Sequence, residues 1–132
     1  MPARTGGRES GAAGRLGEDA AARYLSRRGL VILERNLRSR LGEIDLVARD
    51  GATLVFVEVK ARQASAPEPP QVAVGARKRA RLARLAAGYV AARRAGECRC
   101  RFDVVAVTLT ADGHVAALRH FAAAFAADGW LG

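Results

Sequence analysis

The sequence predicts an α/β domain of α+β-like character: a mixed central sheet flanked by two helices, in the order αβββαβ with a possible last strand. Three observations predict it. Short β-rich runs bounded by turn signals recur at Leu30–Asn36, Glu43–Arg49, Ala52–Lys60 and Arg101–Thr110. Two longer segments, Gly14–Arg28 and Val72–Arg94, instead carry apolar residues at helical spacing. The second of these lies between strands, a crossover that should make one strand pair parallel.

Residues 1–13 are rich in Gly, Ala and Arg without periodicity and read as a flexible basic tail, which leaves 14–132 as a single domain. A chain of this size buries about two thirds of its unfolded surface, so one core suffices. In the first helix Leu16, Ala20, Tyr24 and Leu25 recur at helical spacing, and Gly29 follows where a C-cap is expected. The strand Leu30–Asn36 ends in a polar turn, LRSRLG. Asp50-Gly51 then joins the next two strands as a short hairpin. Pro67, Pro69 and Pro70 make 61–71 a loop. In the second helix Leu82, Leu85, Ala86 and Tyr89 form the apolar stripe, while Arg77, Lys78, Arg79, Arg81 and Arg84 point elsewhere. After the strand Arg101–Thr110, Asp112-Gly113 is a turn, and His114–Arg119 reads as one more strand before an alanine-rich end.

Charge narrows the function. Lys and Arg outnumber Asp and Glu by 22 to 13, giving a net charge of +9 and a pI near 11.1. That points to a polyanionic partner, nucleic acid ahead of an acidic membrane surface. No apolar run is long enough to span a bilayer, and the first fourteen residues lack the apolar middle of a signal peptide, so a cytoplasmic protein with no membrane partner is expected. Cys98 and Cys100 are separated by one residue, closer than zinc-binding pairs usually are. His114 and His120 show no evident acid partner and read as surface or packing residues.

The chemistry concentrates in the hairpin. With Asp50-Gly51 as a two-residue turn, Asp45 faces Phe56 and Glu43 faces Glu58, and alternation puts Glu43, Asp45, Phe56, Glu58 and Lys60 on one side of the sheet. Carboxylates with Cβ atoms roughly 5 to 8 Å apart repel, and a hard divalent cation offsets both that repulsion and their desolvation. Mg²⁺ (or Mn²⁺) fits, because it takes one or two carboxylates and keeps waters for a phosphate substrate, while Lys60 could polarise that water or stabilise charge on phosphorus. The set suits phosphodiester hydrolysis. As a solvated strand-end ion pair, the same charges would contribute under about 1 kcal/mol and no chemistry.

Five segments, GRLGEDAAARYL (Gly14–Leu25), ILERNLR (Ile32–Arg38), GEIDLVARDG (Gly42–Gly51), LVFVEVKAR (Leu54–Arg62) and RFDVVAV (Arg101–Val107), together cover most of the chain. In that order they resemble the YraN family of uncharacterised bacterial proteins, distant relatives of archaeal Holliday junction resolvases in the PD-(D/E)xK nuclease superfamily. The resemblance implies a restriction-endonuclease-like core, with Asp45 and Glu58 as acidic metal ligands, the carbonyl of Val59 as a further ligand and Lys60 as the catalytic lysine. It also implies a role for Glu18, matching an acidic residue that resolvase-like members add from the first helix; the hairpin alone does not point to it. Glu43 is auxiliary in this scheme. Two departures stand out: Ile44 occupies the place of the usual Pro, and QASAPEPPQVAV (63–74) replaces an aromatic-glycine stretch.

Arg77, Lys78, Arg81 and Arg84, extended by Arg15, Arg35, Arg38 and Arg62, form the expected phosphate-contacting set. The expectation is therefore a magnesium-dependent, structure-selective DNA endonuclease acting on branched or single-stranded DNA, with RNA as a second candidate. A homodimer would suit cuts on two strands. The alternative is a non-catalytic DNA- or RNA-binding module that retains the nuclease fold, and a third reading is a basic protein-interaction subunit in nucleic-acid processing.

Overall fold

A computed structural model describes residues 11–66, 73–93 and 98–125. The elements are α1 (Ala12–Arg27), β1 (Val31–Ser39), β2 (Gly42–Asp50), β3 (Thr53–Gln63), α2 (Ala76–Ala92), β4 (Arg99–Leu109) and β5 (Val115–Phe125). The strands form one sheet in sequence order, antiparallel throughout except for the β3–β4 pair, which α2 connects and which is parallel as expected. This is the α+β fold with a mixed sheet and two helices that the sequence predicts, consistent with a restriction-endonuclease-like core.

Alternation along the central strands builds two cores. Val55 and Val57 of β3 join Leu46, Ala48, Val105, Val107 and Leu109 in a cluster with Ala20, Ala21 and Leu25 of α1. Leu54 and Phe56 join Ile44, Val47, Phe102 and Val104 in a second cluster with Leu82, Leu85, Ala86 and Tyr89 of α2. A strand flanked on both faces by helices should be apolar on both, and the LVFV run of β3 is. Leu25 is fully buried, a gain of roughly 1.5–3 kcal/mol for a side chain of this kind. Gly29, at φ +95, closes α1 in the left-handed conformation that its sequence position suggests. No helix among the described residues is long and apolar enough to cross a membrane.

Several boundaries move. β1 runs on to Ser39, leaving a shorter turn than LRSRLG, and β3 runs on to Gln63, which removes Ala61, Arg62 and Gln63 from the predicted loop. The cause is tertiary: β4 pairs with β3 position for position as far as Gln63↔Leu109. β5 absorbs part of the alanine-rich end because it finds β4 as a partner. The tail at 1–13 and the proline loop lie largely outside the described residues, although α1 already begins at Ala12.

The hairpin register differs from the expected one. Asp50 pairs with Thr53, so the loop residues are Gly51 and Ala52. An Asp-Gly loop of the favoured type needs positive φ at both residues, whereas a loop with Gly first needs it only there. Among these residues only Gly51, at φ +61, has it. The shift moves Asp45 away from Phe56, and Glu43 away from Glu58.

Candidate active site

β2 and β3 pair from Asp50↔Thr53 to Leu46↔Val57. Carried one position further, that register sets Asp45 opposite Glu58. Here the side chain enters the ladder: the Val59 amide N–H donates to Asp45 Oδ2 at 2.8 Å. Strict alternation fails at the same point, since Ile44 and Val47 both belong to the α2-side core while Leu46 belongs to the α1 side. The expectation that Glu43, Asp45, Phe56, Glu58 and Lys60 share one face by simple alternation is therefore corrected for β2, where Asp45 sits at the break. It holds along β3, whose unbroken pairing with β4 keeps Phe56, Glu58 and Lys60 on the α2 side.

The electrostatics of Asp45 are adverse. Burial, and then the Glu58 carboxylate, push its pKa from the ordinary 3.8 up to about 7, with Glu18 and Glu43 adding to the effect and the Val59 N–H opposing it. Glu18 lies on α1 and is only 7% exposed. Its pKa is also raised, first by burial, against a hydrogen bond from the Asn36 side chain. Asn36 itself stands at φ +53. Glu18 thus comes into the field of Asp45 across 27 residues of sequence, which is why reading the hairpin alone misses it. Its approach depends on Gly17, where a Cβ would lie 2.7 Å from the Ala61 methyl of β3.

Glu58 has a partner that the sequence did not assign to it. Lys78, from the first turns of α2, places Nζ 2.5 Å from Glu58 Oε2. Lys60 is half-buried. Among the described residues, no three His, Cys, Asp or Glu side chains stand close enough to hold a metal ion by themselves. The donor set that remains is Asp45 and Glu58 with the adjoining backbone. Two hard oxygen ligands in mutual repulsion match the one or two carboxylates Mg²⁺ takes, so the residues present fit such an ion.

The basic residues divide. Arg15, Arg77 and Arg84 are exposed, as are Arg35 and Arg38, although Arg35 is held 2.5 Å from Asp19 and Arg38 lies 3.9 Å from Glu43. Arg62 donates to the Ala66 carbonyl at 2.9 Å, and Arg79 to the Val74 carbonyl at 2.8 Å. Arg81 is half-buried with its side chain over Gly42, the first residue of β2. Lys78 turns inward to Glu58. The basic residues of α2 therefore divide between solvent, for Arg77 and Arg84, and the Glu58 carboxylate, for Lys78.

Away from this site, His120 corrects another expectation. Its Nε2 lies 2.7 Å from Oδ2 of Asp103, a fully buried acid in β4. His114 is exposed beside Asp112 at 3.2 Å. The Cys98 and Cys100 sulfurs are 3.9 Å apart, and burial pushes the Cys100 thiol up to about 12.

Residues 17–107 match the family described as uncharacterised protein family UPF0102. Among curated relatives carrying that family name, one from Syntrophotalea carbinolica is 49% identical over 117 residues, covering 89% of this chain and 94% of the relative. One from Syntrophus aciditrophicus is 49% identical over 100 residues, 76% of this chain and 79% of its own length. A third, from Pelotomaculum thermopropionicum, is 48% identical over 112 residues, 85% of this chain and 93% of its own.

Proposed function

The chain belongs to the uncharacterised bacterial family UPF0102, and from that premise we propose that it is a magnesium-dependent, structure-selective DNA endonuclease of the Holliday junction resolvase type. The observation that carries this reading is the acid pair at the parting of β2 and β3. Asp45, with its carboxyl pushed up to about 7, stands beside a Glu58 that opens an E-x-K sequence within β3. A fold seldom keeps such a pair for stability alone, and perturbed carboxyls in this kind of setting mark functional sites.

Asp45 and Glu58, with the Val59 carbonyl, would hold Mg²⁺ or Mn²⁺. The ion, when bound, would lower the pKa of water and neutralise charge on the phosphate. Lys60, on the same side of β3 as Glu58, would orient the attacking water and stabilise charge on the phosphoryl oxygens. Glu18 and Glu43 would tune the field around Asp45. The exposed Arg77 and Arg84 of α2, with Arg15, Arg35 and Arg38, would bind the sugar-phosphate backbone without reading bases. Branched or single-stranded DNA in the cytoplasm, cut by a homodimer, completes the proposal.

One observation favours a second reading, a DNA- or RNA-binding module without turnover. The Glu58 carboxylate already has a cation, Lys78, at 2.5 Å. The discriminating experiment is cleavage of labelled four-way-junction, flap, single-stranded and duplex DNA with Mg²⁺ or Mn²⁺, beside a chelator control and Glu58→Ala. The nuclease reading expects cutting that disappears with chelator and in the variant while nucleic-acid binding persists. Tight, salt-sensitive binding without cutting on any of these substrates would leave the binding module as the better account.

A further inference from the structure

We propose that Lys78 is an electrostatic latch: in the metal-free protein its ammonium neutralises Glu58 in place of a divalent cation, and a nucleic-acid phosphate that draws Lys78 away frees Glu58 for the metal. Nucleic acid and metal then bind with positive coupling through one side chain. The inference rests on the metal-site reading above and adds an order of assembly to it.

Three features of the contact support it. The Glu58 side chain is only 11% exposed, so its carboxylate has lost much of its water and requires a counter-charge. Lys78 supplies that charge from a different element, twenty residues away, with Nζ 2.5 Å from Oε2. Yet the Lys78 side chain is itself 38% exposed, considerably more open to solvent than the Glu58 side chain it pairs with. A lysine carries a compact charge on a flexible four-carbon stem, so it can exchange one anionic oxygen for another without moving the helix.

The neighbours favour a phosphate as the competing anion. Arg77 and Arg84 are exposed on the same helix, so a backbone attracted to α2 passes close to Lys78. Simultaneous occupation is unfavourable, because an ammonium and a divalent cation sharing one half-buried carboxylate repel each other in a poorly screened setting. By linkage, whatever removes Lys78 from Glu58 strengthens metal binding, and bound metal strengthens the interaction of nucleic acid with Lys78 by the same factor. A free nuclease would thus hold its metal weakly until substrate arrives.

The test is calorimetric titration of Mn²⁺ into the full chain, alone and saturated with a phosphorothioate oligonucleotide that resists cleavage. The native protein, Lys78→Met, Lys78→Arg and Arg49→Met are compared after thermal melts show that each is folded. Arg49→Met removes one positive charge at the hairpin turn and controls for net charge. For the native chain, the oligonucleotide is expected to tighten Mn²⁺ binding about tenfold, within the usual range of coupling between sites. Lys78→Met should bind Mn²⁺ about tenfold more tightly without oligonucleotide and gain nothing further from it. Lys78→Arg, which retains the charge, should keep the native coupling. Equal shifts in Lys78→Met and Arg49→Met, or coupling that survives in Lys78→Met, would overturn the latch and leave the metal site standing. A native chain that takes up no Mn²⁺ with or without oligonucleotide would overturn the metal reading and the latch together.

Discussion

Two aspartates in this fold meet opposite treatment. Asp103, fully buried in β4, is compensated on every side: Arg101 Nε and Nη2 lie 3.0 and 3.2 Å from its two oxygens, His120 Nε2 is 2.7 Å from Oδ2, and the Ala123 N–H donates to Oδ1 at 2.9 Å. Asp45, half-buried where the pairing of β2 with β3 ends, accepts one N–H bond from Val59 and faces the repulsion of Glu58, Glu18 and Glu43. Burial alone does not distinguish a structural acid from a functional one. Compensation differs between these two: the first acid ties β4 to β5, and the second keeps a deficit that the proposed cation would fill.

The largest expected effect comes from breaking the compensated acid. Asp103→Ala takes their acid partner from His120 and the Ala123 amide and leaves the Arg101 guanidinium its outer ion pair with Asp50 at 3.0 Å, and removal of one partner from a buried ionic network costs roughly 3–5 kcal/mol. Ala123 stands at φ +52, a conformation that its bond to Asp103 helps to hold. Urea denaturation should show the loss at neutral pH. A change below about 1 kcal/mol would mean that the network is not a structural anchor.

A smaller loss is expected from pushing α1 off the second acid. Gly17→Ala brings a methyl within 2.7 Å of Ala61 Cβ, so helix and strand must separate. Overpacking of this kind costs about 1–3 kcal/mol, partly offset by the better helix propensity of alanine. Adding Ala61→Gly should restore most of the stability in thermal melts. If Gly17→Ala alone is neutral, the close approach does not set the position of Glu18.

These sites differ in how far the sequence reveals them. Hydrophobic alternation and turn residues show the helices, the hairpin and the parallel crossover because each signal lies within a few residues of what it controls. Asp45, Glu58 and Lys60 are legible for the same reason, being charges at the end of an apolar hairpin. The exact register is not, because Asp50-Gly51 and Gly51-Ala52 are both credible two-residue loops and the choice depends on one backbone angle. Glu18, Lys78 and the His120–Asp103 contact are hidden more deeply, since their partners lie 17 to 27 residues away and only the folded sheet brings them together. The one local hint is an aspartate within the apolar run of RFDVVAV. Such a residue needs a buried partner, although the sequence does not say which one.

The smallest stability effect should have the opposite sign. Asp45 holds its proton more tightly when folded, with a pKa of about 7, than its ordinary value of 3.8 allows in the unfolded chain. Its contribution to stability is therefore fully present below about pH 4 and is lost as pH rises through 7. Asparagine is neutral throughout and retains an oxygen to accept the Val59 N–H. In chelator, Asp45→Asn should match the native protein at pH 4 and exceed it at pH 8 by about 1–2 kcal/mol. Mg²⁺ should then raise the melting temperature of the native chain at pH 8 and leave that of the variant unchanged, because ligand binding stabilises only a state that binds. A variant less stable than the native chain at pH 8 in chelator would show that the Asp45 carboxylate is compensated after all. The contrast with Asp103 would fail, and the argument for a cation at the hairpin end would lose its electrostatic basis.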